Sequence, residues 1–142
     1  FILLDSLRKR LDFINHVIRE LGLKNVMVIH GRAEDYGKEN VYRETFDIAL
    51  SRAVANLSPL CEFALPFVKK GGIFISYKSI KTDMEIQEAT NAIQILGGNL
   101  ETIYEMKYGE KVKLRKLIFI RKIKETPAKY PRKAGKPVKK PL

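Results

Sequence analysis

Cysteine is nearly absent from the 142 residues: Cys61 stands alone and cannot form an internal disulfide. With only two histidines beside it, there is no Cys/His cluster for a structural zinc site, and a reducing cytoplasm is the expected compartment. Long hydrophobic runs are missing too. The longest, such as residues 26–29 and 117–120, fall far short of the roughly 20 apolar residues that a membrane span requires. No secretory apolar segment opens the chain, so the expectation is neither a membrane protein nor an exported one. Also lacking are a Walker A loop, a Gly-x-Gly-x-x-Gly turn, a Gly-x-Ser-x-Gly elbow and a His-Glu-x-x-His helix.

What is present suffices for one globular domain: 45% of the residues are hydrophobic and 30% charged. Charge is unevenly placed. Residues 1–110 hold 14 Lys and Arg against 15 Asp and Glu, a net of −1, whereas residues 111–142 hold 13 against one, a net of +12. Such a block attracts polyanions, so RNA, DNA or an anionic membrane face are candidate partners, with a merely solubilising tail as the plainer alternative.

Residues 1–4 are a continuous apolar run ending at Asp5 and read as a buried parallel strand. Ser6 can cap a helix over the next segment, where Leu7, Leu11, Ile14, Ile18 and Leu21 recur at helical spacing before Gly22. Residues 25–30 form a second strand, 31–44 are polar and loop-like, and 46–51 form a third strand. A helical pattern over 57–68 carries Pro59 near its first turn and stops at Lys69, Lys70, Gly71 and Gly72. A strand over 73–77 precedes the clearest helix, 82–96, which opens with a Thr82–Glu85 capping box and closes on Gly97 and Gly98. The runs 100–108 and 114–123, separated by turn-prone Gly109 and Glu110, predict an antiparallel hairpin. Four prolines without apolar period make 127–142 an extended arm rather than core, so the chain divides into a domain over 1–124 and a basic arm over 125–142.

The alternation of strands and helices is that of an α/β fold with right-handed crossovers, in which ligands bind at the carboxyl ends of strands. Asp5 there is either a carboxylate for the two hydroxyls of a nucleotide ribose or a helix-start charge. Glu34 shares that ambiguity, although the backbone at Ala33 and Glu34 could read an adenine edge. Arg52, in Ser-Arg-Ala-Val-Ala-Asn, could hold a carboxylate or phosphate bidentately, or merely pair with Asp47 or Glu34. Lys78 and Lys81 could meet phosphate or simply be solvated. His16 and His30 look structural, and Cys61 reads as a buried inert thiol.

Four segments carry a resemblance: Leu-Leu-Asp-Ser-Leu-Arg-Lys-Arg at 3–10, His-Gly-Arg-Ala-Glu-Asp at 30–35, Ser-Arg-Ala-Val-Ala-Asn-Leu at 51–57, and Pro-Arg-Lys-Ala-Gly-Lys-Pro-Val-Lys-Lys-Pro-Leu at 131–142. With these the chain resembles the family of ribosomal RNA small subunit methyltransferase G. The resemblance implies a Rossmann-like class I sheet, S-adenosylmethionine as cofactor, and methylation of N7 of guanine 527 in 16S rRNA by a cytoplasmic monomer that needs no metal. It further implies that Asp5 and Ser6 lie by the ribose, that Ala33 and Glu34 flank the adenine, and that Arg52 completes the pocket. Lys78, Arg132, Lys133, Lys136, Lys139 and Lys140 would hold 16S rRNA or the small subunit, and no residue acts as a catalytic base.

Members of that family carry a helical region, a first strand and a Gly-rich loop ahead of the position matched by Phe1. That strand lies between the strands 1–5 and 46–51, so the expectation here is a C-terminal portion with two unpaired strand edges, weak cofactor affinity and negligible transfer by itself. The rival readings are a non-catalytic α/β module that binds rRNA, and a methyltransferase acting on another nucleic acid.

Overall fold

A computed structural model describes residues 1–108 and 113–142. Gly109 and Glu110, the expected hairpin turn, lie outside the described residues. Strand β1 (Ile2–Asp5) leads into α1 (Arg8–Glu20), and β2 (Met27–His30) returns parallel to β1 with Asp5 opposite His30. Gly22, at φ +61°, ends α1: its N–H donates to the Arg19 carbonyl and that of Leu23 to Ile18, the paired bonds of a Schellman stop. The other end differs from expectation: the N-cap position is Leu7, without a side-chain cap, and Ser6 caps nothing, while Asp5 takes the Leu7 N–H at 2.8 Å.

The segment after β2 is more than loop, since α2 (Ala33–Tyr36) forms within it. Gly31 is required there, because the Tyr36 ring lies against its Cα where any Cβ would stand. Next come β3 (Phe46–Arg52) and α3 (Leu57–Ala64), which ends earlier than its apolar pattern suggests. Pro66 has no N–H to continue the ladder, so residues Leu65–Phe67 tighten into a 3-10 turn and β4 (Val68–Ser79) begins at once. The Lys69 to Gly72 stretch, expected as a helix stop, is thus the opening of a long strand.

The helix expected over 82–96 is divided at Ala89 into α4 (Asp83–Glu88) and α5 (Thr90–Ile95). Its capping box does not close: the Thr82 hydroxyl donates to the Ser79 carbonyl at 3.0 Å, and Glu85 pairs with Lys78. Strands β5 (Gly98–Tyr108) and β6 (Lys113–Lys122) pair antiparallel, as the hairpin pattern requires. The result is a four-stranded sheet in the order β3-β4-β6-β5, parallel between β3 and β4 and antiparallel beyond, beside the two-stranded sheet β1-β2. Among the described residues β1 pairs only with β2 and β3 only with β4, so each leaves one edge without a neighbour, as the resemblance implies.

The core lies where α3, α4 and α5 cover the larger sheet, with Leu57, Leu65, Phe74, Leu96, Ile118 and Ile120 fully buried. Residues 126–142 do not form an extended arm. They fold back as a strap that buries Tyr130, Pro131 and Pro137, packs Leu142 on the core, and ends in a short helix α6 (Lys136–Lys139). Arg43 holds its start by donating to the carbonyls of Thr126 (2.6 Å), Tyr130 (2.8 Å) and, on the body, Gly37 (2.9 Å). The physical reason for the difference is that proline content and charge describe the segment alone, whereas the guanidinium that anchors it lies more than 80 residues earlier.

Lys122 closes the same region from inside. Its fully buried ammonium donates to the carbonyls of Leu65 (2.7 Å) and Val68 (3.0 Å), to Glu44 (2.8 Å) and to the Thr126 hydroxyl (2.8 Å). Burial pulls this ammonium below its usual value against the upward pull of Glu44. Burial would raise the Glu44 carboxyl, but the bonds from Lys122 and the Thr126 N–H outweigh that and hold it below the usual carboxylate range.

Candidate nucleoside site and basic strap

The carboxyl ends of β1 and β2 lie side by side, so the loops after Asp5 and after His30 share one rim. Asp5 is anchored by two donors, the Leu7 N–H at 2.8 Å and an Arg10 Nη1 at 3.3 Å, while its side chain stays 25% exposed. A carboxylate offers about four lone-pair positions, so two bonds leave it capacity for a diol. Ser6 is exposed, and its carbonyl oxygen lies 3.2 Å from His30 Nε2. An Arg8 Nη2 sits 3.3 Å from His30 Nδ1. A guanidinium can only donate, so Nδ1 is the acceptor and the proton is on Nε2, where it supports the Ser6 carbonyl. His30, to which the sequence assigned no role, therefore braces the rim loop.

Ala33 opens α2 at half burial, beside the rim. The Glu34 side chain is 5% exposed and accepts the Gly135 N–H from the strap at 3.1 Å, so only the backbone of this pair remains to read a base edge. Arg52 ends β3 on the other sheet, exposed, with no ion pair among the described residues. The plain alternative for it is not realised: Asp47 pairs with Lys69 at 2.7 Å, which holds the Asp47 carboxyl below its usual value, and Glu34 is taken by Gly135. The next residue, Ala53, has φ +54°, a left-handed conformation that residues with a Cβ adopt at a cost and that recurs at functional turns.

Lys78 departs from its expected place on the RNA surface. Its ammonium is ion-paired with Glu85 and donates to the Ala55 carbonyl at 2.6 Å, which fixes the turn that comes after Arg52. Lys81 is exposed.

Arg132 is likewise committed inward. Its Nε lies 2.9 and 3.0 Å from the two oxygens of Glu62, its Nη2 is 2.6 Å from Glu62 Oε2, and its backbone N–H donates to Oε1 at 2.7 Å. Glu62 is fully buried on α3, and the pairing pushes the Arg132 guanidinium further up. Of the basic residues after 110, Lys116, Arg121, Lys122 and Arg132 are thus paired with carboxylates, the first two pairs at the surface and the last two in the interior. The exposed cations of the strap are Lys129, Lys133, Lys136, Lys139 and Lys140, and four of these flank the Gly135 turn closely. Glu62 and Arg43 escaped the sequence reading, yet one signal for Glu62 exists: it is a lone charge inside an apolar helix, Leu-Cys-Glu-Phe-Ala, which requires a buried partner.

This arrangement, a parallel pair β1-β2 with a rim at its carboxyl ends beside a mixed four-stranded sheet, is the Rossmann-like methyltransferase fold. Solved structures with the same architecture include a SAM-dependent methyltransferase from Methanosarcina mazei, with TM-score 0.62, 9% identity and coverage of 87% of this chain and 82% of that one. An rRNA methylase from Streptococcus thermophilus matches at TM-score 0.61 and 15% identity over 87% of this chain and 73% of that one. At those identities the likeness concerns fold.

The family is settled by sequence. Residues 1–118 match the family described as rRNA small subunit methyltransferase G, and the chain belongs to it. Ribosomal RNA small subunit methyltransferase G of Clostridium botulinum (strain ATCC 19397 / Type A) is 51% identical over 140 residues, covering 99% of this chain and 59% of that protein. The namesake from Clostridium tetani is 50% identical over 141 residues with the same coverages. The chain therefore spans about 59% of the length of these curated relatives.

Proposed function

We propose that the whole protein to which these residues belong transfers a methyl group from S-adenosylmethionine to N7 of guanine 527 in 16S rRNA. The observation that carries this reading is the adjacency of Asp5 and Ala33–Glu34 at the ends of paired strands in a chain of this family. The donor set fits the cofactor. Asp5 retains acceptor capacity for a ribose diol, the Ala33–Glu34 backbone can meet an adenine edge, and Arg52, without an ion pair among the described residues, offers a guanidinium to a carboxylate. When bound, S-adenosylmethionine supplies an electrophilic methyl on a sulfonium. Guanine N7 carries a free lone pair in the groove, so no side chain has to remove a proton. What the chain contributes is positioning and a fixed electrostatic frame. His30 braces the Ser6 loop, and the Lys78–Glu85 pair holds the turn after Arg52 through Ala55.

The rRNA would be held by the exposed strap lysines, with Lys78 and Arg132 acting as internal supports rather than contacts. In the full-length protein, Arg52→Ala should weaken cofactor binding by about one to two orders of magnitude, the worth of a charge-assisted bond of roughly 1.5–3 kcal/mol, with an unchanged melting temperature. Calorimetry with S-adenosylhomocysteine, together with thermal melts, separates the two quantities; loss of stability with intact binding would return Arg52 to a structural role. Replacing Lys133, Lys136, Lys139 and Lys140 together with Ala should lower the slope of log affinity for rRNA against log salt by about 3. An unaltered slope assigns them to packing. The reaction itself is tested by mass mapping of small-subunit rRNA from a strain lacking the gene, where one N7-methylguanine should disappear. An unchanged profile would remove the methyltransferase reading and leave an rRNA-binding module.

A further inference from the structure

Among the contacts that tie the strap to the body, three reach different elements. Arg43, before β3, grips the carbonyls of Thr126 and Tyr130; Glu62 on α3 grips Arg132; and Glu34 on α2 accepts the Gly135 N–H. The first two fix where the strap runs. The third is of another kind, because Glu34 belongs to the turn proposed to flank the adenine, while Gly135 belongs to the turn that carries the exposed lysines.

Gly135 adopts φ +82°, and a Cβ placed on it would meet nothing within 4 Å. The position is therefore selected by conformation and not by space. That left-handed turn aims its N–H at the nearly buried Glu34 carboxylate, between Lys133 and the helix bearing Lys136 and Lys139. The C-cap of α2, Gly37, meets the strap farther back, through Arg43 and Tyr130, so Glu34 is the link from α2 to the turn between the lysines.

We infer that the Glu34 carboxylate is a latch between the adenosine-facing turn and the RNA-facing strap, so that binding of a nucleoside cofactor and binding of an RNA backbone reinforce one another. Glu34 acts as a positioning residue: it orients the strap through Gly135 and does not itself contact phosphate. The inference rests on the nucleoside reading of Asp5 and Ala33–Glu34 and adds to it a coupling that neither site would have alone. By thermodynamic reciprocity the factor by which RNA tightens the cofactor equals that by which the cofactor tightens RNA.

The test uses the full-length protein, S-adenosylhomocysteine, and a synthetic RNA hairpin carrying the guanine. Calorimetry gives the S-adenosylhomocysteine affinity with and without saturating hairpin. The wild-type protein should show a coupling factor of about fivefold or more. Glu34→Gln keeps an acceptor for Gly135 and should keep the coupling. Glu34→Ala, and independently Gly135→Ala, should bring the factor close to one while each ligand still binds by itself. A latch that served stability alone would shift the melting temperature and leave the factor intact, and that result overturns the inference. So does a wild-type factor of one. Failure of the wild-type protein to bind S-adenosylhomocysteine at all is a separate outcome, which removes the nucleoside reading and the latch with it.

Discussion

Replacing Arg132 with Ala should lower the unfolding free energy by about 3–5 kcal/mol, the range found when one member of a buried ion pair is removed. Two magnitudes compete here. Exposed pairs are worth about 0–1 kcal/mol, because water screens them and long side chains must be ordered. Glu62, however, has no exposed side-chain surface, and the Arg132 side chain only 17%. Truncation leaves Glu62 with the Arg132 backbone N–H at 2.7 Å as its remaining donor from that residue, and water cannot take over the rest. A typical domain has about 5–15 kcal/mol in total, so the loss is a large fraction. Urea unfolding at neutral pH measures it. A change below about 1 kcal/mol would show that the pair behaves as a surface contact. Adding Glu62→Gln to the Arg132→Ala variant should recover part of the loss, because the uncompensated buried charge is then gone.

The second large effect is expected at Lys122. Methionine has nearly the same length and no donors, so Lys122→Met removes the partner of two buried carbonyls, Leu65 and Val68, and of Glu44. Each orphaned buried acceptor costs about 1–3 kcal/mol. Glu44 suffers least, since it is 20% exposed and keeps the Thr126 N–H at 2.6 Å. Thr126 also keeps a use for its own hydroxyl proton, donated to the Leu96 carbonyl at 2.8 Å. The Leu65 carbonyl still accepts the Val68 N–H, so the Val68 carbonyl dominates, and the loss is about 1–3 kcal/mol. In a domain of this size that lowers the melting temperature by roughly 4–10 °C. The double variant Lys122→Met with Glu44→Gln should melt no lower than the single one, which a differential scan can check. A single variant within about 2 °C of the parent, well inside the shift expected for 1 kcal/mol, would mean that water enters and replaces the ammonium.

Both residues mark where the sequence stops being legible. Periodicity placed the strands and most helices, because apolar spacing is a local property that burial on one face imposes. It could not see that Pro66 would tighten the end of α3, or that the helix would start at Leu7 without a cap from Ser6, since these depend on the geometry of a single bond. The rim was readable for a different reason. In parallel sheets the polar residue that comes after an apolar strand is bound to lie at the mouth, which singles out Asp5, Glu34 and Arg52 from sequence alone. What Glu34 does with its side chain was hidden, because its partner Gly135 lies 101 residues later. The same distance in sequence hid the strap: Lys133 and Lys139 are exposed charge, as the composition of the segment suggests, while Arg132 beside them is an internal ligand of Glu62.

The Glu62–Arg132 pair also bears on the order of events during synthesis. The two residues are separated by 70 positions, and a ribosome makes the carboxylate long before the guanidinium. Helix α3 must therefore emerge with a bare charge on the face that is destined for the interior. Final consolidation of this half of the molecule waits until Arg132 has left the exit tunnel, and a chain stalled before it is left with a flaw at its centre that quality-control proteases can recognise.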